Sequence, residues 1–347
     1  MINLNNISKL LSSKQQEDIL SATEYVYDIS GTKYLIFDGA TTKLCLSHAY
    51  NFIFDKLTGD FKRWGTSFED DPGFGPVGPE LLDLEISVNG CPNACPFCYK
   101  NNKNVPATNM SLDTFKSILD KFPKSLTQVA FGITGVQTNP DFIPMMKYCR
   151  EVGVIPNFTL SGIDLTDDLA EQCSKLVGAL AVSAYQQDKN ICYNTVKKFV
   201  DLGLKQTNIH LMVSEQTLDF VYEVLNDRQV DARLADMNAI IFLGVKPKGR
   251  AKDKYTPLST EKFRKLIEYS FDKKLAIGFD SCSAPKFESA IKSMKLNPLQ
   301  EKMLLSCSES CDKPDPSTIK FSPLLTERVF QKLAPGISFN PGPIIST

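Results

Sequence analysis

The chain has 347 residues, a formal net charge of -1, 42% hydrophobic and 23% charged residues. These values describe a globular protein with enough chain for a sizeable core. Lysines and arginines balance the acids without forming a long block, so no charge footprint points to nucleic acid or an anionic membrane surface. The longest apolar run, Leu176 to Val182, falls far short of the roughly 20 residues needed to span a bilayer.

The N-terminal segment MINLNNISKLLSSKQQEDIL lacks the basic start, apolar stretch and cleavage site of a secretory signal. Its apolar spacing predicts an amphipathic helix, and the expected location is the cytoplasm. The aromatic and β-branched runs EYVYDISGTKYLIFDG, KLCLS and YNFIFDKLTGDFKRWG follow, broken by Gly and Asp turn signals. Residues 1–79 therefore read as a helix and a small β-rich extension, closed by the Pro/Gly-rich breaker Asp70 to Pro79.

From residue 80 the pattern alternates between short apolar runs and helical segments. The runs are LLDLEISV, TQVAFGIT, GVIPNFTLSG, GALAVSAY, QTNIHLMVS, NAIIFLGV and KLAIGFDS. Helix candidates between them include SLDTFKSILDKF with Ser111 as N-cap, NPDFIPMMKYCREVG, LTDDLAEQCSKL, NICYNTVKKFVDLG and STEKFRKLIEYSFDKK. About six repeats of strand and helix over residues 80–285 predict an α/β domain with a parallel sheet. Periodicity leaves open a doubly wound sheet, a full barrel or a partial one. In each case ligands gather where the strands end, which selects the loops after Val88, Thr134, Leu160, Ala184, Val213 and Val245. Residues 286–347 end in an irregular, proline-rich tail.

Ten cysteines are many for a chain in a reducing compartment, where clustered thiols indicate metal binding or catalysis. Cys45, Cys149, Cys173 and Cys192 stand apart in apolar or helical contexts and are expected as small buried side chains. Cys91, Cys95 and Cys98, in NGCPNACPFCYK after the first core strand, have the spacing CxxxCxxC. A helix would put them on one face, but Pro96 has no amide hydrogen for the Pro92 carbonyl, so the segment is expected to wrap as a loop. Three thiolates without an obvious fourth would leave one iron of a four-iron cluster open. Zinc is the competing metal, yet structural zinc sites fill four positions with paired Cys or His, and only His48 and His210 are present.

With an aromatic residue directly after the third cysteine, residues 80–285 resemble the radical SAM superfamily. The resemblance implies a partial (β/α)6 TIM-like barrel in which Cys91, Cys95 and Cys98 hold a 4Fe-4S cluster. The amino and carboxylate groups of S-adenosylmethionine would chelate the open iron, and reduction would yield methionine and a 5′-deoxyadenosyl radical for hydrogen abstraction. A peptide or protein is the implied substrate; a small molecule or nucleotide, or noncatalytic iron-sulfur binding, are the alternatives. A reductase or flavodoxin-type protein would donate the electron.

The resemblance also assigns contacts. Tyr99 would meet the adenine. Gly132, Thr134 and Gly135 in FGITGVQTNP would hold the methionine amino group, and because no acid follows these glycines, Gln137 or the backbone would serve. Asn157, Thr159, Ser161 and Ser183, alternating on strands, would contact ribose or the methionine carboxylate. His210 reads as a satisfied core residue, with a substrate-facing role as the alternative. VKPKGRA resembles the PxGRA signature of members with C-terminal cysteine extensions, and Arg250 would grip a carboxylate. Cys282, Cys307 and Cys311 resemble the start of a SPASM-like extension holding an auxiliary iron-sulfur cluster, shortened here because no cysteine follows Cys311.

Overall fold

The computed structural model describes residues 10–67, 70, 72, 75–280, 283–294 and 296, and the backbone of 318–321. Cys282, Cys307 and Cys311, and most of the proline-rich tail, lie outside the described residues.

Helix α1 (Ser13–Leu20) leads into five strands, β1 (Thr23–Ile29), β2 (Thr32–Asp38), β3 (Thr42–Leu46), β4 (Asn51–Asp55) and β5 (Phe61–Trp64). They form an antiparallel meander in chain order. Ser30 and Gly31 take the left-handed conformations needed to close the hairpin between β1 and β2. Ile36, Cys45, Phe52 and Phe54 give this sheet a buried aromatic face, and Ile155 of the following domain joins the same cluster.

The larger sheet contains β6 (Leu81–Glu85), β9 (Gln128–Gly132), β10 (Ile155–Leu160), β11 (Leu180–Ser183), β12 (Thr207–Val213), β13 (Ile240–Gly244) and β14 (Ile277–Phe279). All are parallel, in chain order, and the sheet curls into a half-barrel. The partial barrel implied by the resemblance is thus the observed fold, with a seventh strand beyond the six expected. The short pair β7 (Ser87–Val88) and β8 (Thr108–Asn109) clasps the loop that follows β6. In the segment read as tail, β15 (Thr318–Phe321) adds a parallel strand beside β6.

Among the described residues the helices that follow the barrel strands are α2 (Leu112–Leu119), α3 (Phe142–Glu151), α4 (Asp167–Leu176), α5 (Lys189–Asp201), α6 (Leu218–Val230), α7 (Thr260–Asp272) and α8 (Ala284–Ser293). Ser111, Thr166, Asp188 and Ser259 cap four of them by accepting backbone N–H bonds, each contributing about 1 kcal/mol. Residues of alternate parity on each strand pack beneath the helices: Leu82 and Leu84, Val129 and Phe131, Phe158 and Leu160, Ile209, Leu211 and Val213. Phe131, Phe142 and Phe158 form a chain of edge-to-face rings with centroids 5.9 and 5.1 Å apart, a geometry that stabilises beyond burial alone. The other parity, including Asn157, Thr159, Ser183 and His210, faces the concave side.

The meander covers the N-terminal ends of the barrel strands. Fully buried Lys43 donates from Nζ to the Leu126 carbonyl at 2.6 Å, the Tyr27 hydroxyl accepts from Lys124 N at 2.9 Å, and Gln206 Nε2 donates to the Thr58 carbonyl at 2.7 Å. These bonds hold the meander against the N-terminal ends of the strands, opposite the C-terminal mouth. No helix among the described residues is long and apolar enough to cross a membrane.

Candidate active site

The loop carrying Cys91, Cys95 and Cys98 leaves the sheet at this mouth. As expected from Pro96, it is not helical; it folds as turns, with Cys98 N donating to the Cys95 carbonyl at 3.2 Å and Asn101 N to the Cys98 carbonyl at 3.3 Å. Asn89 and Gly90 enter it in left-handed conformations (φ +68° and +60°). A Cβ on Gly90 would lie 2.9 Å from Thr138 Cγ2 and 3.0 Å from Ala107 Cβ, so glycine is required there. Gly90 N to the Val105 carbonyl at 2.8 Å and Lys103 N to Asn89 Oδ1 at 3.2 Å close the loop at its base.

Arg250, in the loop after β13 at the same end of the sheet, latches the cysteine loop. Its Nε donates to the Cys95 carbonyl at 2.8 Å, its Nη1 to the Asn102 carbonyl at 2.6 Å, and its backbone N to the Cys98 carbonyl at 2.9 Å. Gly249 makes this approach feasible: at φ +57°, a Cβ would sit 2.5 Å from the Tyr99 carbonyl oxygen and 2.6 Å from that of Cys98. Two guanidinium nitrogens therefore serve the loop itself, and only Nη2 is buried without a partner.

All three loop thiols are half-buried. Burial pushes the Cys91 thiol up, and Cys98 and Asp164 add to this, while the Asn93 N–H and the Arg250 charge pull it down. Burial also raises the Cys95 thiol, opposed by the Tyr185 hydroxyl donating to its sulfur and reinforced by Cys91 and Cys98. The Tyr185 ring stacks on Phe97, with centroids 6.0 Å apart, and Tyr255 meets Phe97 edge-on at 5.9 Å. Tyr99 is exposed, with Lys246 Nζ 4.9 Å from its ring centroid. Below the loop, Glu85 and Lys100 form an ion pair at 2.5 Å.

The remaining sequence candidates fall in two groups. Gly132, Thr134 and Gly135 end β9 at the mouth. Thr134 is tied to this neighbourhood by Oγ1 to the Asn89 carbonyl at 2.6 Å and by N to Ser87 Oγ at 3.2 Å. Gly132 lies against Glu85, whose Cα would be 3.0 Å from an added Cβ. Ser183 bonds to the Tyr185 hydroxyl and pairs in register with His210. Thr159 Oγ1 lies 3.3 Å from His210 Nδ1, and burial pushes that imidazole down to about 4, against the opposing charge of Asp280. Asn157, by contrast, is turned to the sheet: Nδ2 donates to Gln128 Oε1 at 2.8 Å and Oδ1 accepts from Ala179 N at 2.7 Å. Gln137 bonds into the loop after β10, with Nε2 donating to the Asp164 carbonyl at 2.5 Å.

Neither Tyr185 nor Asp164 belongs to a motif in the sequence. Tyr185 lies two residues beyond Ser183, so period two was the available signal. Asp164 is distant from Gly135 in sequence and only the fold brings them together.

The donor set fits an iron-sulfur cluster. Thiolates are soft ligands suited to iron-sulfur clusters, and Cys91, Cys95 and Cys98 lie within each other's electrostatic reach on one loop. Among the described residues no three His, Cys, Asp or Glu side chains converge as for a single metal ion. A cubane takes its thiolates on separate irons, so its ligands need not meet at one point.

No family model and no curated protein matches the chain. Among solved structures it is similar to Streptococcus suis SuiB bound to precursor peptide SuiA, with a TM-score of 0.52 and 14% identity, covering 65% of this chain and 54% of that one. It also matches native anSMEcpe with bound AdoMet and Cp18Cys peptide, with a TM-score of 0.49 and 15% identity over 67% of this chain and 68% of that one. The chain spans about half the length of SuiB. At this identity the likeness is one of fold, and over about two-thirds of its length this chain has the fold of SuiB.

Proposed function

We propose that this chain is a radical SAM enzyme that abstracts hydrogen from a peptide or protein. The observation that carries the reading is the set of three half-buried thiols on one latched loop at the open mouth of a half-barrel. On this reading Cys91, Cys95 and Cys98 hold a 4Fe-4S cluster and leave one iron to the amino and carboxylate groups of S-adenosylmethionine. A bound cluster would supply the one-electron reduction that cleaves the sulfonium, the chemistry that hydrogen abstraction needs.

The chain's own residues bind, orient and exclude water. Arg250 and Gly249 hold the loop in place, and the Phe97, Tyr185 and Tyr255 rings form an apolar wall beside Cys95. Tyr99 is assigned to the adenine, Gly132, Thr134 and Gly135 to the methionine end, and Thr159 and Ser183 to ribose or carboxylate. The fold shared with SuiB, which was crystallised with its precursor peptide, supports a peptide substrate. Residues 1–79 are assigned as an extension, 80–285 as the catalytic domain and 286–347 as a SPASM-like segment. A cytoplasmic reductase or flavodoxin-type protein completes the reading as electron donor.

Anaerobically reconstituted protein is expected to bind iron and sulfide and, once reduced, to release 5′-deoxyadenosine from S-adenosylmethionine. Cys95→Ala is expected to lose both properties. Full cluster incorporation without 5′-deoxyadenosine would sink the catalytic reading, as would cleavage retained in C95A. A substrate-dependent mass change in a peptide would establish the substrate class.

A further inference from the structure

The cations of two loops far apart in sequence converge at the cysteine loop. Residues 246–254 carry Lys246, Lys248, Arg250, Lys252 and Lys254 against a single acid, Asp253. No Asp or Glu occurs between Glu85 and Asp113, where the cysteine loop adds Lys100 and Lys103. Both loops are thus positive in a chain whose formal net charge is -1. The fold clasps them together: Arg250 N donates to the Cys98 carbonyl at 2.9 Å, Arg250 Nη1 reaches the Asn102 carbonyl beside Lys103, and Lys246 Nζ lies 4.9 Å from the Tyr99 ring centroid. Lys103, Lys248, Lys252 and Lys254 are exposed, and none forms an ion pair among the described residues.

Between these lysines the surface of the cysteine loop is apolar. Tyr99 and Val105 are each 46% exposed, and Pro92 and Ala94 are exposed with them. An apolar centre with a polar rim is the anatomy of a protein-docking surface, and a rim of one sign steers an oppositely charged partner toward it. Pro92, Ala94 and Tyr99 are the direct chain neighbours of Cys91, Cys95 and Cys98. A protein seated on them is one residue from every thiol, and electron transfer, which falls steeply with distance, needs that proximity.

We propose that this lysine-rimmed face beside the cysteine loop docks an electron-carrier protein with an acidic surface. The proposal rests on the proposed function, in which a cluster on the three cysteines must be reduced. The carrier is oxidised by one electron and the cluster reduced by one, with no atom or group exchanged.

The test is stopped-flow reduction of cluster-loaded protein, followed by cluster absorbance, with two reductants: a reduced acidic flavodoxin and reduced methyl viologen, a small cation. The triple variant Lys248→Glu, Lys252→Glu, Lys254→Glu is expected to lower the second-order rate constant with flavodoxin about 10- to 100-fold at low salt. The gap should close as added salt screens the wild-type attraction. The milder neutral variant Lys252→Gln, Lys254→Gln should slow flavodoxin by a smaller factor. Iron content and melting temperature should stay at wild-type values, and the rate with methyl viologen should not fall. Unchanged flavodoxin rates in the loaded variants would overturn this inference alone, as would an equal slowing with methyl viologen. A loaded wild type that methyl viologen reduces and flavodoxin does not would overturn it too. Weakened binding of polyglutamate with flavodoxin rates intact would assign the face to an acidic peptide instead. Wild-type protein that takes up no cluster would overturn both this inference and the proposed function.

Discussion

At the base of the half-barrel two buried lysines meet a carboxylate and main-chain carbonyls, whereas at the mouth a half-buried arginine directs its nitrogens to the backbone of a single loop. Lys43 and Lys56 share Asp38, at 3.7 and 2.6 Å, and each also donates to a main-chain carbonyl. The Lys43 bond to the Leu126 carbonyl ties the meander to the barrel, and the others hold the meander to itself. Arg250, by contrast, gives Nε and Nη1 to the cysteine loop, and neither its Nη2 nor Asp164 Oδ1 has a partner.

This contrast can be broken by changing one end and measuring both. The largest effect is expected from Gly249→Ala. The added methyl meets the Tyr99 and Cys98 carbonyls, and φ +57° is strained for alanine. Most bound iron should be lost after reconstitution, while the far-ultraviolet circular dichroism of the barrel stays unchanged; full iron content in G249A would refute the latch.

A smaller effect, on stability alone, is expected from Lys43→Met. Burial holds the Lys43 ammonium down at about 8, with Asp38 opposing the shift and Lys56 and Lys124 reinforcing it. Between about pH 8 and the ordinary lysine value the unfolded chain keeps this proton and the folded chain releases it, so wild-type stability rises with pH across that window. Lys43→Met lacks this contribution, so wild type should gain on the order of 2 kcal/mol relative to the variant between pH 8 and 10 in denaturant titrations. A pH-independent difference would show that Lys43 titrates normally. Iron content should be the same in both proteins.

The smallest effect belongs to Tyr27→Phe, which removes the hydroxyl accepting from Lys124 N. It should cost about 1 kcal/mol of unfolding free energy and leave S-adenosylmethionine binding untouched. A loss of binding would mean that base and mouth are coupled.

Much of the fold was legible because apolar periodicity and capping chemistry are local. The seven runs coincide with the seven strands of the half-barrel, and Ser111 caps α2 as expected from its side chain. Cys45, Cys149, Cys173 and Cys192 are all buried, as their apolar contexts indicated. The choice of a curled sheet was not in the periodicity, which alternates identically in open and closed sheets; it came from the resemblance. At the mouth, Pro96 announced a loop, but the functions of Arg250 and Asn157 depend on carbonyls and side chains brought close by the fold. The resemblance assigns Arg250 a carboxylate, and its Nε reaches the Cys95 carbonyl 155 residues away, a contact that only the fold creates. Asp164 was invisible for the same reason, since its meaning lies in Gly135 and Gln137.

The hydrogen bonds of Gly90 to Val105 and Lys103 to Asn89 give the cysteine loop a closed outline made from protein alone. The barrel wall beneath it is likewise complete in hydrocarbon. On the proposed function these contacts predict an order of assembly, in which the chain folds first and a cluster would be inserted late and locally. Small zinc domains work the other way, since the metal drives their folding. Chelation should therefore empty the mouth and leave a folded protein that can be loaded again.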